Sequence, residues 1–156
     1  MDKKKTLDKA GEDGLEFLPG LKVGIVTAEW NSEVTFALRD AAIEFLSSYM
    51  DSAGIVSIKV PGSFELVHAA SKLLPEVDGL IAIGCVIQGE TPHFTFISQA
   101  VANGIASLNI SGGKPVIFGV LTTDTMEQAL NRAGGKHGNK GIEAASTLVK
   151  MLNIKY

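Results

Sequence analysis

The chain has 156 residues, 46% hydrophobic and 20% charged, with a mean hydropathy of +0.22, which fits one domain around one sizeable core and excludes a disordered chain. Fourteen Lys and Arg against 17 Asp and Glu leave a formal net charge of −3, so no basic excess draws the chain to nucleic acid. A single cysteine, Cys85, excludes an intrachain disulfide, and one Cys with three His argues against a structural zinc site.

The longest apolar-plus-glycine run, Gly79 to Ile87, falls far short of the ~20 residues that cross a bilayer. The start Met-Asp-Lys-Lys-Lys-Thr has no apolar stretch behind it, so the expectation is a cytoplasmic protein without a membrane segment. The high apolar balance of so weakly charged a chain points to surface covered by another subunit.

Residues 1–19 are polar and aperiodic and read as a flexible arm, ordered if at all by a neighbour, ahead of a single domain over 20–156. Leu21–Ala28 is a β-branched run of strand length. Ser32–Tyr49 places Val34, Leu38, Ile43 and Phe45-Leu46 at helical spacing. Ile55–Val60 reads as a second strand, and Phe64–Leu74 as a helix stopped before Pro75. Leu80–Ile87 is a third strand, apolar on both faces, and Pro92–Leu108 a third helix. Asn109–Lys114 reads as a turn, Pro115–Leu121 as a fourth strand, and 124–132 and 139–152 as two closing helices split by Ala133-Gly134-Gly135. Strands with two apolar faces alternating with helices predict an α/β fold: a central four-stranded parallel sheet covered on both sides, a three-layer α/β/α sandwich. Ligands in such folds bind beyond the carboxyl ends of the strands, near a topological switch point.

Those ends carry the candidate chemistry. Gly89-Glu90-Thr91-Pro92-His93-Phe94 follows the most apolar strand and opens a helix. Thr91 suits an N-cap and Pro92 the first helical position, and free N–H groups there attract anions. A His in the first turn beside a bound phosphate can exchange protons near pH 7. An ordinary Thr-Pro helix start with an exposed His reads the same way. Trp30, the only tryptophan, directly follows a strand and is either a stacking face for a planar heterocycle or a cap on the core edge. Pro61-Gly62-Ser63-Phe64-Glu65 is a second strand-to-helix turn, where Glu65 either accepts from the N–H groups of a polar ring or merely supplies an acidic first turn. The stretch from Arg132 to Gly141 packs an Arg, two Lys, a His and four Gly into ten residues; it suits either an anion contact or a solvated connector. His68 reads as structural, and Cys85 as buried and inert. No nucleophile elbow, zinc-protease motif or Walker loop is present.

Taken together, five segments in order resemble the lumazine synthase family: Glu29-Trp30-Asn31, Val60 through Leu66, Gly84 through Phe94, Phe118 through Thr125 with Gln128-Ala129, and Arg132 through Gly141. The resemblance covers about residues 20–153. It implies a flavodoxin-like fold and an enzyme of riboflavin biosynthesis, a transferase. That enzyme condenses 5-amino-6-(D-ribitylamino)uracil with 3,4-dihydroxy-2-butanone 4-phosphate, releasing phosphate and water. The substrate brings its own amine, so no cofactor and no metal is expected. The resemblance implies that Trp30 stacks on the pyrimidine; that Ser63, Phe64, Glu65, Cys85, Val86 and Ile87 hold the ribityl chain and ring edge; and that Glu90 and Thr91 take the phosphate. It implies further that His93 transfers protons, and that Phe118, Arg132 and Lys140 come from the neighbouring subunit, with Arg132 on the phosphate.

The implied partners are thus the two small-molecule substrates, other copies of the chain, and riboflavin synthase. The compact run from Gly134 into Gly141 is similar to that of members that build hollow 60-subunit shells from pentamers. Thr95 and Phe96 depart from the family, whose members commonly carry Asp or Glu and then Tyr there; the departure bears on proton transfer. Three competing readings keep the fold and change the function: a non-catalytic flavin-binding or shell-forming relative, a divergent riboflavin synthase, and a flavodoxin-like electron carrier.

Overall fold

A computed structural model of the chain describes residues 14–156. Four strands, β1 (Val23–Ala28), β2 (Ile55–Val60), β3 (Gly79–Ile87) and β4 (Val116–Thr123), form one parallel sheet in the order β2-β1-β3-β4. The helices are α1 (Ser32–Leu46), α2 (Leu66–Leu73), α3 (His93–Ser111), α4 (Met126–Asn131) and α5 (Lys140–Asn153). The expected flavodoxin-like three-layer sandwich is what the chain forms. The chain leaves β1 toward β2 and then crosses back to β3, so the order reverses between β1 and β3, and their carboxyl ends frame the switch point.

Each face of the sheet has its own core. Val23, Ile25, Ile81 and Ile83 point to one side, where Val34, Leu38 and Leu46 of α1 and Ala145, Leu148 and Val149 of α5 cover them. Val26, Leu80, Ala82 and Val120 point to the other side, under Leu66 and Ala70 of α2 and Val101 and Ile105 of α3. The period-2 alternation of branched residues along each strand divides them between the two cores.

Several boundaries differ from the sequence reading. Residues 1–13 of the expected arm lie outside the described residues. Leu15 and Leu18 of the same segment pack on the α1–α5 core, and the Leu18 N–H donates to the Tyr49 carbonyl at 2.7 Å, so this chain's own core holds them rather than a neighbour. The helix expected over 64–74 is an eight-residue α-helix between two 3₁₀ turns, Ser63–Glu65 and Leu74–Glu76, the second of which takes Pro75 into a tighter turn than an α-helix makes. The turn expected from Asn109 starts later, because α3 runs to Ser111. Asn109 stays helical because its amide mimics a strand partner: Oδ1 accepts from the Val116 N–H at 2.9 Å and Nδ2 donates to the Val116 carbonyl at 2.9 Å. Helix α4 begins at Met126 and not at 124, capped by Thr125, whose hydroxyl accepts from the Gln128 N–H. The glycine connector contains a small antiparallel hairpin, β5 (Ala133–Gly135) and β6 (Gly138–Asn139), whose positive φ at Gly134 and Gly138 only glycine adopts cheaply.

Candidate active site

The carboxyl ends of β1, β2 and β3 are laced together by short backbone and amide contacts. After β1, the Glu29 N–H donates to the Val60 carbonyl at 2.8 Å and the Trp30 N–H to the Pro61 carbonyl at 2.9 Å, so the loops following β1 and β2 lie side by side. Asn31 takes the left-handed conformation, with φ of 60°, a state that Asn tolerates better than most residues. Its carbonyl accepts from the Val34 and Thr35 N–H groups in the first turn of α1, and its side-chain amide donates to the Cys85 carbonyl at 2.9 Å. One residue therefore ends β1, starts α1 and clamps β1 to β3 across the switch point. In the sequence the signal for this role is a lone Asn between a strand and a helix.

On this frame sit most of the residues singled out in the sequence. Trp30 is 67% exposed, so its ring does not close the core edge. Gly62 lies against that ring. Ser63 is buried against Gly84 of β3, which has no Cβ to exclude it, and the neighbouring Phe64 is 57% exposed. Glu65 reaches back along its own turn, where one carboxylate oxygen accepts from the Gly62 N–H at 3.0 Å and the other oxygen is left for further donors. Cys85 is buried, and burial pushes its thiol up from an ordinary 9.0 to about 11, which makes it the inert group expected. Val86 and Ile87 emerge from the core at the strand end, half-buried.

The loop after β3 is open. Gly89, Glu90, Thr91, Pro92 and His93 are all exposed, and a Cβ on Gly89 would meet nothing within 4 Å. Here the sequence reading needs correction. Thr91 does not cap α3 and Pro92 is not its first residue. Pro92 itself occupies the cap position, its carbonyl accepting from the Thr95 and Phe96 N–H groups, and His93 is the first helical residue. A proline at the cap forfeits no hydrogen bond, because it has no N–H to satisfy, and the Thr91 hydroxyl is left unused by the helix. The His93 side chain makes no hydrogen bond among the described residues. His68, read as structural, is exposed on α2 and remote from any core role.

Phe118, Arg132 and Lys140 gather elsewhere. Phe118 lies on β4, an edge strand, and is 44% exposed. Phe118 and Lys140 both line a cavity of about 450 Å³ between β4 and α5, with Glu143 and Thr147. Lys140 is ion-paired with Glu143 at 2.8 Å, and its N–H donates to the Arg132 carbonyl at 2.8 Å across the base of the hairpin. The Arg132 guanidinium is half-buried and has no ion pair among the described residues. Phe118 pairs with Ala82, whereas Thr123 pairs with Ile87 at the sheet's carboxyl end. Those five residues of strand put Phe118 about 16 Å back from the loop that carries His93.

Residues 20–156 match the family model described as 6,7-dimethyl-8-ribityllumazine synthase. The chain belongs to that family. Proteins described as 6,7-dimethyl-8-ribityllumazine synthase from Porphyromonas gingivalis and Cytophaga hutchinsonii are 53% identical over 138 residues and 56% identical over 132 residues. Those matches cover 86% of both chains in the first case and 83% of both in the second. A Flavobacterium johnsoniae protein of the same description is 44% identical over 154 residues, 97% of this chain and 81% of its own length. Within this lumazine synthase family fold, Phe118 lies five residues of strand back from the carboxyl end of the sheet, where the switch-point loops emerge.

Proposed function

We propose that this chain is a 6,7-dimethyl-8-ribityllumazine synthase, a transferase that condenses 5-amino-6-(D-ribitylamino)uracil with 3,4-dihydroxy-2-butanone 4-phosphate and releases phosphate and water. The observation that carries the reading is the convergence of an exposed aromatic face, a buried polar turn and an open His-bearing loop at the switch point of a chain in this family. The first bond forms between the substrate's own amine and the butanone carbonyl, and water leaves as the imine forms. Phosphate then departs by elimination, and the ribityl-bearing amine attacks the carbonyl this leaves on the four-carbon unit, so the ring closes with loss of a second water. None of these steps needs a nucleophile from the protein.

The chain's work in this reading is to bind, orient and move protons. Trp30 offers its exposed ring to the pyrimidine, and Ser63, Phe64, Glu65, Cys85, Val86 and Ile87 line the ribityl path. Glu90 and Thr91 present backbone and hydroxyl donors to the phosphate at the start of α3, where the helix dipole favours an anion. His93, exposed and without a hydrogen-bond partner, takes and returns protons. Phe118, Arg132 and Lys140 complete the site of an adjacent copy. The ~16 Å offset along β4 supports this division, because it keeps Phe118 out of its own chain's loop cluster.

The assembly is a homo-oligomer of pentamers closed into a 60-subunit shell, cytoplasmic, with riboflavin synthase as a protein partner and residues 20–156 as the catalytic domain. No helix among the described residues is long and apolar enough to cross a membrane, which accords with this placement. The test gives chelator-treated protein both substrates and follows the absorbance of the lumazine. Product forms without added metal, and product no faster than the spontaneous background overturns the reading. Light scattering on the same sample returns a mass near 60 subunits, against near five for a lone pentamer, by the count a closed icosahedral shell requires.

A further inference from the structure

Gly62 lies in the turn that follows β2, and nothing in its backbone calls for glycine. Its φ of −129° and ψ of 178° are extended values that any residue adopts. What calls for glycine is the Trp30 ring. A Cβ built on Gly62 would fall 2.5 Å from Trp30 Cε3 and 2.6 Å from Cζ3, with the Glu65 carboxylate 3.1 Å away on its other side. The indole therefore rests on a bare Cα. Two hydrogen bonds hold that support in place: the Trp30 N–H donates to the Pro61 carbonyl at 2.9 Å, and the Gly62 N–H donates to Glu65 Oε2 at 3.0 Å. The turn is thus fastened on one side to the residue that carries the ring, and on the other to a carboxylate three residues on.

We propose that Gly62 is a positioning residue for the Trp30 ring, and that the Gly62–Glu65 clip sets the height and tilt at which the ring meets a planar substrate. The inference rests on the reading that Trp30 stacks on the pyrimidine. It makes Gly62 a determinant of pyrimidine binding although it contributes no side chain, and it gives Glu65 a task in the free protein apart from any contact to substrate. Trp30 is 67% exposed, so a methyl group at position 62 has an easy outlet: the ring swings toward solvent and the fold stays intact.

Trp30 is the chain's only tryptophan, so its emission reports directly on this contact. The experiment compares wild type, Gly62→Ala, Trp30→Phe and the double variant, using 5-amino-6-(D-ribitylamino)uracil as the probe. In the unliganded protein, Gly62→Ala shifts the emission maximum and lowers the anisotropy of Trp30. The KM for the pyrimidine rises about threefold to tenfold, the range that one aromatic stacking contact is worth, while the KM for the butanone phosphate stays within about twofold. In the Trp30→Phe background the Cε3 and Cζ3 atoms that meet the new methyl are gone, so adding Gly62→Ala changes the pyrimidine KM no further. If Gly62→Ala alone fails to fold, recovery of the fold in the double variant supports the same contact, and its failure there overturns the proposal. Unchanged emission with unchanged KM, an equal rise in both KM values, or an undiminished effect in Trp30→Phe also overturns it. Should wild type form no lumazine at all, the enzymatic reading fails, and the emission of the unliganded variants still decides whether Gly62 positions the ring.

Discussion

The switch-point loops and the β4 edge are built on opposite principles. At the switch point the loops after β1 and β2 are tied down: Asn31 to the Cys85 carbonyl, Trp30 to Pro61, Gly62 to Glu65, and Ser63 against Gly84, while the loop after β3 stays open. At the β4 edge the strand pairs with β3 alone and its outer side has no strand partner, Phe118 is half in solvent, and the Arg132 guanidinium has no ion pair among the described residues. An unpaired edge beside an open cavity is what a protein covers with a helix, a loop or another chain. The first region is fastened within its own chain, whereas the second leaves a strand edge and a cavity open. The contrast divides the fold into loops fastened to one another after β1 and β2 and an edge left open along β4; in the proposed function the first orients a substrate and the second completes the site of an adjacent copy.

The strongest way to break that comparison is to disable one region at a time. Arg132→Ala loses more turnover than His93→Ala. A proton-transfer group contributes about 10²–10⁴-fold at most, and less is at stake where the substrate amine condenses unaided. In the proposed site Arg132, by contrast, would meet a dianionic group with a fork that orients the whole substrate. If the regions serve adjacent copies, the two variants rescue one another. Co-assembled at equal amounts, they give about a quarter of wild-type activity, the chance that both contributors to a site are intact. Steady-state rates on the co-purified mixture check this. A mixture no better than the average of its parts places both regions in one chain's service, and His93→Ala dead beside a near-normal Arg132→Ala reverses the roles.

How much of this was legible in the sequence follows the same division. The four strands and their parallel pairing were readable because β-branched runs such as Leu80–Ile87 are apolar on both faces, a pattern only a doubly covered sheet tolerates, whereas the order β2-β1-β3-β4 was not. The switch-point loops were readable as turns because Gly, Pro and Asn mark them. What escaped depends on contacts between segments far apart in sequence. Asn109 looked like a turn former because Asn usually is one, and only β4's need for a partner keeps it helical. Thr91-Pro92 resembled a cap followed by a first helical residue, yet the helix begins one residue later, since a proline carbonyl serves as well as a threonine side chain. The β5–β6 hairpin is too short to show any period. Gly62 was visible only as a turn glycine, and its contact with Trp30 spans a separation of 32 positions that no local pattern encodes.

Chemical reactivity sharpens the comparison further. Cys85 belongs to the fastened region, buried with its thiol raised to about 11. The unfolded chain gives up this proton near 9.0, whereas the folded chain holds it to about 11. Between those values the folded state binds more protons, so its stability falls as pH rises, by about 2–3 kcal/mol once both states are ionised. Below pH 9 the group exerts no slope. Denaturant melts at pH 8, 9.5 and 11 on wild type and Cys85→Ala isolate the contribution as the difference between the two, since every other titration is common to both. An alkylating agent at pH 8 leaves the native thiol unmodified and labels it in denaturant. Labelling of the native protein as fast as of the unfolded chain would mean that this end of β3 opens freely, and the switch-point loops would not be the rigid half.

The smallest effect is expected at the one ion pair of the β4 edge cavity. Lys140 and Glu143 sit 2.8 Å apart, one turn along α5, with their side chains about a third to two-fifths exposed. A pair so open to water contributes about 0.2–1 kcal/mol, so Glu143→Gln leaves the melting curve almost unmoved. Its influence on binding is larger than that on stability, because the carboxylate competes with any phosphate for the same ammonium group. Removing the charge also removes a repulsion toward the incoming dianion. Glu143→Gln therefore lowers the KM for the butanone phosphate about twofold and leaves the KM for the uncharged pyrimidine alone, with the gain shrinking as salt screens the field over a Debye length of about 8–10 Å. Initial rates at two ionic strengths check the sign. A rise in KM instead would show that Glu143 holds Lys140 in its working position, and the β4 edge would then be as preorganised as the switch-point loops.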